Sequence, residues 1–148
     1  MNTKPLKKVQ VFNLLKKISF VNLESEKIGL KDAEGRILSS DITSLINLPP
    51  FNNSAVDGYA LHNKNLKNLK KIKCNQRIEA GRYNESLLKV NEVARIFTGA
   101  RMPKNSNTVV MQENTKKEEN NYISILKIPK KGENCRLKGE DVAKGDTI

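Results

Sequence analysis

Residues 48–61 read Leu48-Pro49-Pro50-Phe51-Asn52-Asn53-Ser54-Ala55-Val56-Asp57-Gly58-Tyr59-Ala60-Leu61, and the texture of the chain changes there. Two consecutive prolines remove backbone donors and fix the chain direction, so this stretch cannot be helix interior. Asn-Asn-Ser is turn chemistry, and Asp57-Gly58 is a second turn signal directly before an apolar run. Downstream, short strand-like runs separated by Gly, Asn and Pro follow at Tyr59–Leu61, Ile72–Ile78, Val93–Phe97, Thr108–Gln112 and Tyr122–Ile128. The polar segment 113–121 between the last two predicts a hairpin loop. Upstream, residues 6–20 place Val9, Val11, Phe12, Leu14, Leu15 and Ile18 between lysines at helical spacing. Pro5 suits a first helical turn, with Thr3 as its cap. Ile28-Gly29-Leu30 reads as a short strand and residues 31–38 as a helical turn. There is no βαβ alternation and no internal repeat. The predicted fold class is therefore mixed and mainly β, a short N-terminal helical element followed by an antiparallel β domain.

The composition narrows the function. Of 148 residues, 40 are Leu, Ile, Val or Phe, enough for a packed core. No apolar run approaches the ~20 residues that span a bilayer, and the basic N-terminus lacks the apolar stretch of a secretory signal. The expected location is the cytoplasm, with Cys74 and Cys135 as reduced thiols. One histidine, His62, and two scattered cysteines do not make a zinc site. The net charge of +11 raises nucleic acid as a partner. Against it, aromatics are only 5% of the chain, leaving little for bases to stack on, and the densest basic stretch, 64–73, carries Leu66, Leu69 and Ile72 for burial. A solvated basic face is the better reading, with neither nucleic acid nor membrane as partner.

Three segments carry chemistry. In the first, Asp57 either closes its own turn or presents a carboxylate at a strand edge, with Gly58 allowing another group close to the backbone. In the second, Val93-Ala94-Arg95-Ile96-Phe97-Thr98-Gly99-Ala100-Arg101-Met102-Pro103, a strand delivers Thr98 and Gly99 to its C-terminal end, where a hydroxyl and an accessible N–H suit an oxyanion. Thr98 bonding its own loop is the alternative. The third, Gly132-Glu133-Asn134-Cys135-Arg136-Leu137-Lys138-Gly139-Glu140-Asp141-Val142, sets two cations before paired carboxylates. That mixture suits an anionic ligand together with Mg²⁺, or a plain surface salt-bridge cluster.

In this order, together with Val109-Val110-Met111-Gln112-Glu113 and Glu34-Gly35-Arg36-Ile37-Leu38, the segments resemble the N-terminal part of the molybdopterin molybdenumtransferase family, MoeA and the E domain of gephyrin. The resemblance runs from about residue 6 to residue 148. Departures are small: Asn52 stands for the usual Asp, Val56 for Met, and Asn91 for a turn glycine. Asn is the next-best residue for a left-handed turn.

The resemblance implies a composite domain of residues 1–45 completed by 136–148, an inserted β domain of 46–135, and a pterin-binding α/β domain that this chain lacks. It implies insertion of molybdate into adenylylated molybdopterin, with Mg²⁺ present and AMP released, by a homodimer of elongated shape. A non-catalytic fragment or interaction module of the same fold is the alternative. By motif match, Asp57, Thr98 and Asp141 are the expected catalytic residues. Ser54, Arg136 and Glu140 are expected to bind substrate, and Asp57 and Asp141 to hold Mg²⁺.

Overall fold

The computed structural model describes residues 5–18, 24–67, 71–82 and 86–148. The chain divides into two compact units, Met1–Ser40 and Asp41–Ile148.

In the first unit, helix α1 spans Lys8–Leu15, shorter than the predicted 6–20. Pro5 lies ahead of the helix rather than in its first turn, which is closed by the Gln10 side chain accepting the Lys7 backbone N–H at 2.9 Å. Thr3 and residues 19–20 of the predicted cap and helix lie outside the described residues. Val9 and Phe12 remain 69% and 53% exposed, so the apolar face of α1 is uncovered within the described structure. The strand predicted at Ile28-Gly29-Leu30 does not form. It finds no pairing partner, and the chain tightens instead into a 3-10 turn, Leu30–Asp32. An ion pair between Arg36 and Glu26 ties this segment to the residues before it.

The described residues of the second unit hold eight strands: β1 (Asn53–Ser54), β2 (Gly58–Leu61), β3 (Ile72–Ile78), β4 (Glu92–Ile96), β5 (Thr108–Met111), β6 (Thr115–Lys117), β7 (Tyr122–Ile125) and β8 (Cys135–Arg136). Six of them form one sheet in the order β5-β2-β4-β3-β7-β6, and β1 pairs with β8. Four of the five predicted runs match strands within a residue or two, and the fifth stops at Ile125.

The β domain is mainly antiparallel, as expected, and two details refine it. β3 and β4 run parallel, so the sheet is mixed. The connection 79–91 is long enough for the chain to cross over and re-enter in the same direction. The predicted hairpin loop 113–121 also contains β6, which pairs with β7, while β5 lies at the opposite edge beside β2. Asn120 and Asn121, both at positive φ, supply the β6–β7 turn. Only the 3-10 turn Gln112–Asn114 separates β5 from β6 in the chain. A connection that short can join the two sheet edges only if the sheet curls strongly.

The curled sheet is packed on both faces. Ala60, Ile78, Leu88, Ala94, Ile96, Ala100 and Val109 cluster on one side. Tyr59, Leu61, Ile72, Val93, Val110 and Ile123 cluster on the other. This explains why Val93-Ala94 and Val109-Val110 read as continuous apolar runs instead of alternating with polar residues. Asn91 has φ 60, as expected where it stands for a turn glycine, and sets the entry to β4.

Candidate functional site

Three chain-distant segments converge on the two-residue strand β1. On one side, Ser54 N donates to Ala100 O (3.0 Å), Gly99 N to Ser54 O (2.8 Å) and Met102 N to Asn52 O (2.9 Å). On the other, Asn53 pairs with Arg136 and Ser54 with Cys135 in the β1–β8 ribbon. The Asn52 side-chain oxygen accepts the Lys138 backbone N–H at 2.8 Å, so replacing the usual Asp keeps the contact and loses only charge. Gly139 N and Asp141 N bond the carbonyls of Pro49 and Leu48 at 2.9 and 3.0 Å. The proline arm thereby fixes the third segment against the first.

Asp57 does not close its own turn. Ser54 does that: its hydroxyl donates to Val56 O at 2.6 Å and its oxygen faces Val56 N at 3.3 Å. Ser54 is 1% exposed, so the folded chain uses its hydroxyl internally where a substrate contact was expected. Asp57 reaches across to Thr98, whose backbone N–H and hydroxyl both donate to Asp57 Oδ1 at 2.9 Å. Oδ2 receives no hydrogen bond from the described residues and remains available. The Thr98 N–H and then its hydroxyl, aided by the charge of Arg95, hold the Asp57 carboxyl below its ordinary value. Gly99, at φ +78, turns the chain where a side chain would be strained. Gly58 does allow a close approach, but the group that approaches is the Val110 carbonyl of β5.

The third segment forms an ion-pair cluster. Arg136 Nε donates to Glu140 Oε1 at 2.7 Å, and Nη2 donates to both Asp141 oxygens at 2.6 and 2.5 Å. Leu137 N also donates to Glu140 Oε2 at 2.7 Å. These bonds push Arg136 upward and Glu140 below its ordinary value. Partial burial, with the charge of Glu140, raises the Cys135 thiol, and both cysteines are free. The structure thus joins Asp57 to Thr98, and Arg136 to Glu140 and Asp141, as two groups flanking β1.

Among the described residues, no group of three or more His, Cys, Asp or Glu side chains gathers as a metal centre. Asp141, with both oxygens on Arg136, does not fit as a magnesium ligand in this conformation. Asp57 Oδ2 does fit a single contact of the kind magnesium makes when substrate phosphates supply its other ligands. An adjoining cavity of about 360 Å³ has Asn52, Arg101, Lys104 and Lys138 among its lining residues.

The sequence reading gave no role to Arg95 or Gln112. Arg95 donates to Gly58 O (3.0 Å) and to Gln112 Oε1 (2.6 Å), and Gln112 N donates to Asp57 O at 3.1 Å. The available signal was a cation at the second position before Phe97, on a strand leading straight to Thr98.

Among the described residues four carboxylates are held low: Asp57 by Thr98, Glu79 by Arg77, Glu118 by Ser124 and Lys71, and Glu140 by Leu137 N–H and Arg136. A carboxylate with a depressed folded value stabilises fully above its unfolded value, and that stability fades as pH falls through the folded value. The melting temperature is therefore expected to be flat from neutrality to about pH 5 and to decline modestly below about pH 4, since none of the four groups is buried and solvent screens them all. Thermal scans across that range check this; an unchanged melting temperature at pH 3 would contradict the assignment.

The profile of the MoeA N-terminal region (domain I and II) matches residues 6–148. The chain is 41% identical over 133 residues to a molybdopterin molybdenumtransferase of Nostoc sp., covering 86% of this chain and 30% of that protein. It is 36% identical over 125 residues to the molybdopterin molybdenumtransferase of Haemophilus influenzae, covering 84% and 31%. A solved structure of the molybdopterin biosynthesis MoeA protein of Pyrococcus horikoshii superposes with a TM-score of 0.72 at 34% identity, over 83% of this chain and 33% of that one. The chain thus spans about 30% of the length of the curated relatives it matches. No helix among the described residues is long and apolar enough to cross a membrane. With the three motif segments meeting on β1 and the match running from residue 6 to residue 148, the chain belongs to the MoeA N-terminal region family.

Proposed function

We propose that this chain supplies one wall of a molybdate-inserting active site in molybdenum cofactor biosynthesis, acting on adenylylated molybdopterin and molybdate with release of AMP. The observation that carries the reading is the convergence of the three segments on β1, with Asp57 oriented by Thr98 and one carboxylate oxygen left open. Asp57 Oδ2 faces the reacting groups as a hydrogen-bond acceptor, fixed in direction because Oδ1 is occupied. Thr98 holds that orientation, and the Thr98–Gly99 turn keeps the site close to the main chain. Arg136 Nη1, which takes no partner among the described residues, is the donor left for an anionic group of the substrate, while Glu140 and Asp141 set the direction of the guanidinium and balance its charge.

Magnesium bound at Asp57 would neutralise phosphate charge during cleavage of the anhydride. Thr43 and Leu48 pair with Thr147 and Val142 within the second unit, which supports residues 136–148 joining the segment that precedes the β domain. The exposed apolar face of α1 supports a homodimer. Two free cysteines suit a reducing cytoplasm.

The test is reconstitution. Residues 1–148 alone are expected not to insert molybdate, because one wall cannot orient both reactants. The same residues exchanged into the Nostoc relative are expected to support molybdate-dependent AMP release. Insertion by the isolated chain, or an inactive but folded exchange product, would overturn the reading.

A further inference from the structure

Arg95 ties together the loops that present Asp57 and Thr98, and we infer that it is the positioning residue of this site. It lies on β4 two residues before Phe97, on the same face of the strand. One arm of its guanidinium reaches Gly58 O, directly after Asp57, at 3.0 Å. Another reaches Gln112 Oε1 at 2.6 Å, and Gln112 returns its backbone N–H to Asp57 O at 3.1 Å. The plane also lies 4.6 Å from the ring centre of Phe97, which precedes Thr98, and 5.3 Å from that of Tyr59. Phe97 takes the Arg77 guanidinium at 4.6 Å as well, and Arg77 is held by Glu79 at 3.0 Å.

One side chain therefore braces the main chain on both sides of Asp57 and the ring leading to Thr98. Its charge also favours the ionised carboxylate. Only a planar fork does all of this at once. A lysine ammonium is a point charge that cannot span two acceptors while stacking on two rings. The catalytic meaning of Arg95 rests on the reading of Asp57 and Thr98 proposed above, whereas the brace itself is measurable without activity.

The test is amide hydrogen exchange in residues 1–148, read by NMR at Thr98 and, as a control in the core, at Val109, whose N–H is bonded to Glu133 O. In Arg95→Lys the Thr98 amide is expected to exchange at least ~10-fold faster while Val109 stays within ~2-fold, because the opening is local. Gln112→Ala, which removes one leg and leaves the charge, is expected to give about a 3-fold acceleration at Thr98 alone, and decides the matter if Arg95→Lys does not fold. In the exchange product with the Nostoc relative, Arg95→Lys is expected to lower kcat by about 10-fold with little change in KM. Unchanged exchange at Thr98, or equal acceleration at Val109, would overturn the positioning role. A braced Thr98 together with unaltered kcat would instead count against the catalytic reading of Asp57.

Discussion

Asp57→Asn, introduced into this chain within a complete enzyme, is expected to lower molybdate-dependent AMP release by about 100-fold or more. The melting temperature near neutral pH is expected to fall by no more than about 3 °C, the small share of stability that the charge of Asp57 supplies. The two expectations separate because the two oxygens of Asp57 have different tasks. Oδ1 accepts both the N–H and the hydroxyl of Thr98, and the carbonyl oxygen of Asn accepts the same pair. The fold-forming half of the contact therefore survives. Oδ2 has no partner among the described residues, and in Asn an NH₂ donor replaces it. That change removes a negative charge and reverses hydrogen-bond polarity at the one open position, while leaving volume and backbone alone. Activity and thermal unfolding must be measured on the same preparation. Full activity, or a loss that merely tracks unfolding, would make Asp57 a loop-to-loop tie and nothing more.

The neighbouring residue should behave in the opposite way. Gly58→Ala is expected to cost about 3 kcal/mol of stability, the upper end of ordinary overpacking. The corresponding fall in melting temperature is about 10 °C. A Cβ on Gly58 would lie 2.0 Å from Val110 O and 2.9 Å from Val110 C, and 3.1 Å from Val109 Cγ1. The first two are backbone atoms of the paired strand β5, so no side-chain rotation relieves the clash. β2 and β5 must separate, and β2 is buried along its whole length. Gly99→Ala provides the contrast: it has φ +78 but nothing within 4 Å of the added carbon. Its cost is conformational only, about 1 kcal/mol. Chemical denaturation of both variants checks the ranking. A Gly58→Ala variant as stable as Gly99→Ala would mean that β2 and β5 do not pack as closely as described.

These adjacent positions also show where the sequence was informative. Asp57-Gly58 before an apolar run announced a turn into a strand, and β2 begins at Gly58. The sequence placed Thr98 correctly at the end of a strand, and Asn91 in a left-handed turn. Local features of this kind depend on backbone preferences of single residues and on runs of apolar side chains, both of which are written in order along the chain. The motif phrases likewise carried the family, because they are contiguous.

What the sequence could not state was which distant groups meet. The carboxylate of Asp57 had two readings, and neither was its bond to Thr98, 41 residues away. Ser54 looked like a ligand contact and instead closes the turn that carries Asp57. Gly58 promised a close approach by some group, and only the fold shows that this group is the Val110 carbonyl. Arg95 was one cation among 27 until the sheet set it against Gly58, Gln112, Tyr59 and Phe97. The edge strand β6 hid in a polar segment because an exposed strand has no apolar pattern to betray it. The parallel pairing of β3 with β4 was equally silent, since strand direction is fixed by the path of the connection rather than by the residues paired. Sequence by itself determined the strand-forming runs, the turns and the family. Tertiary structure alone decided the partners of each polar atom, because hydrogen-bond and ion-pair choices are made in space, after the sheet has curled.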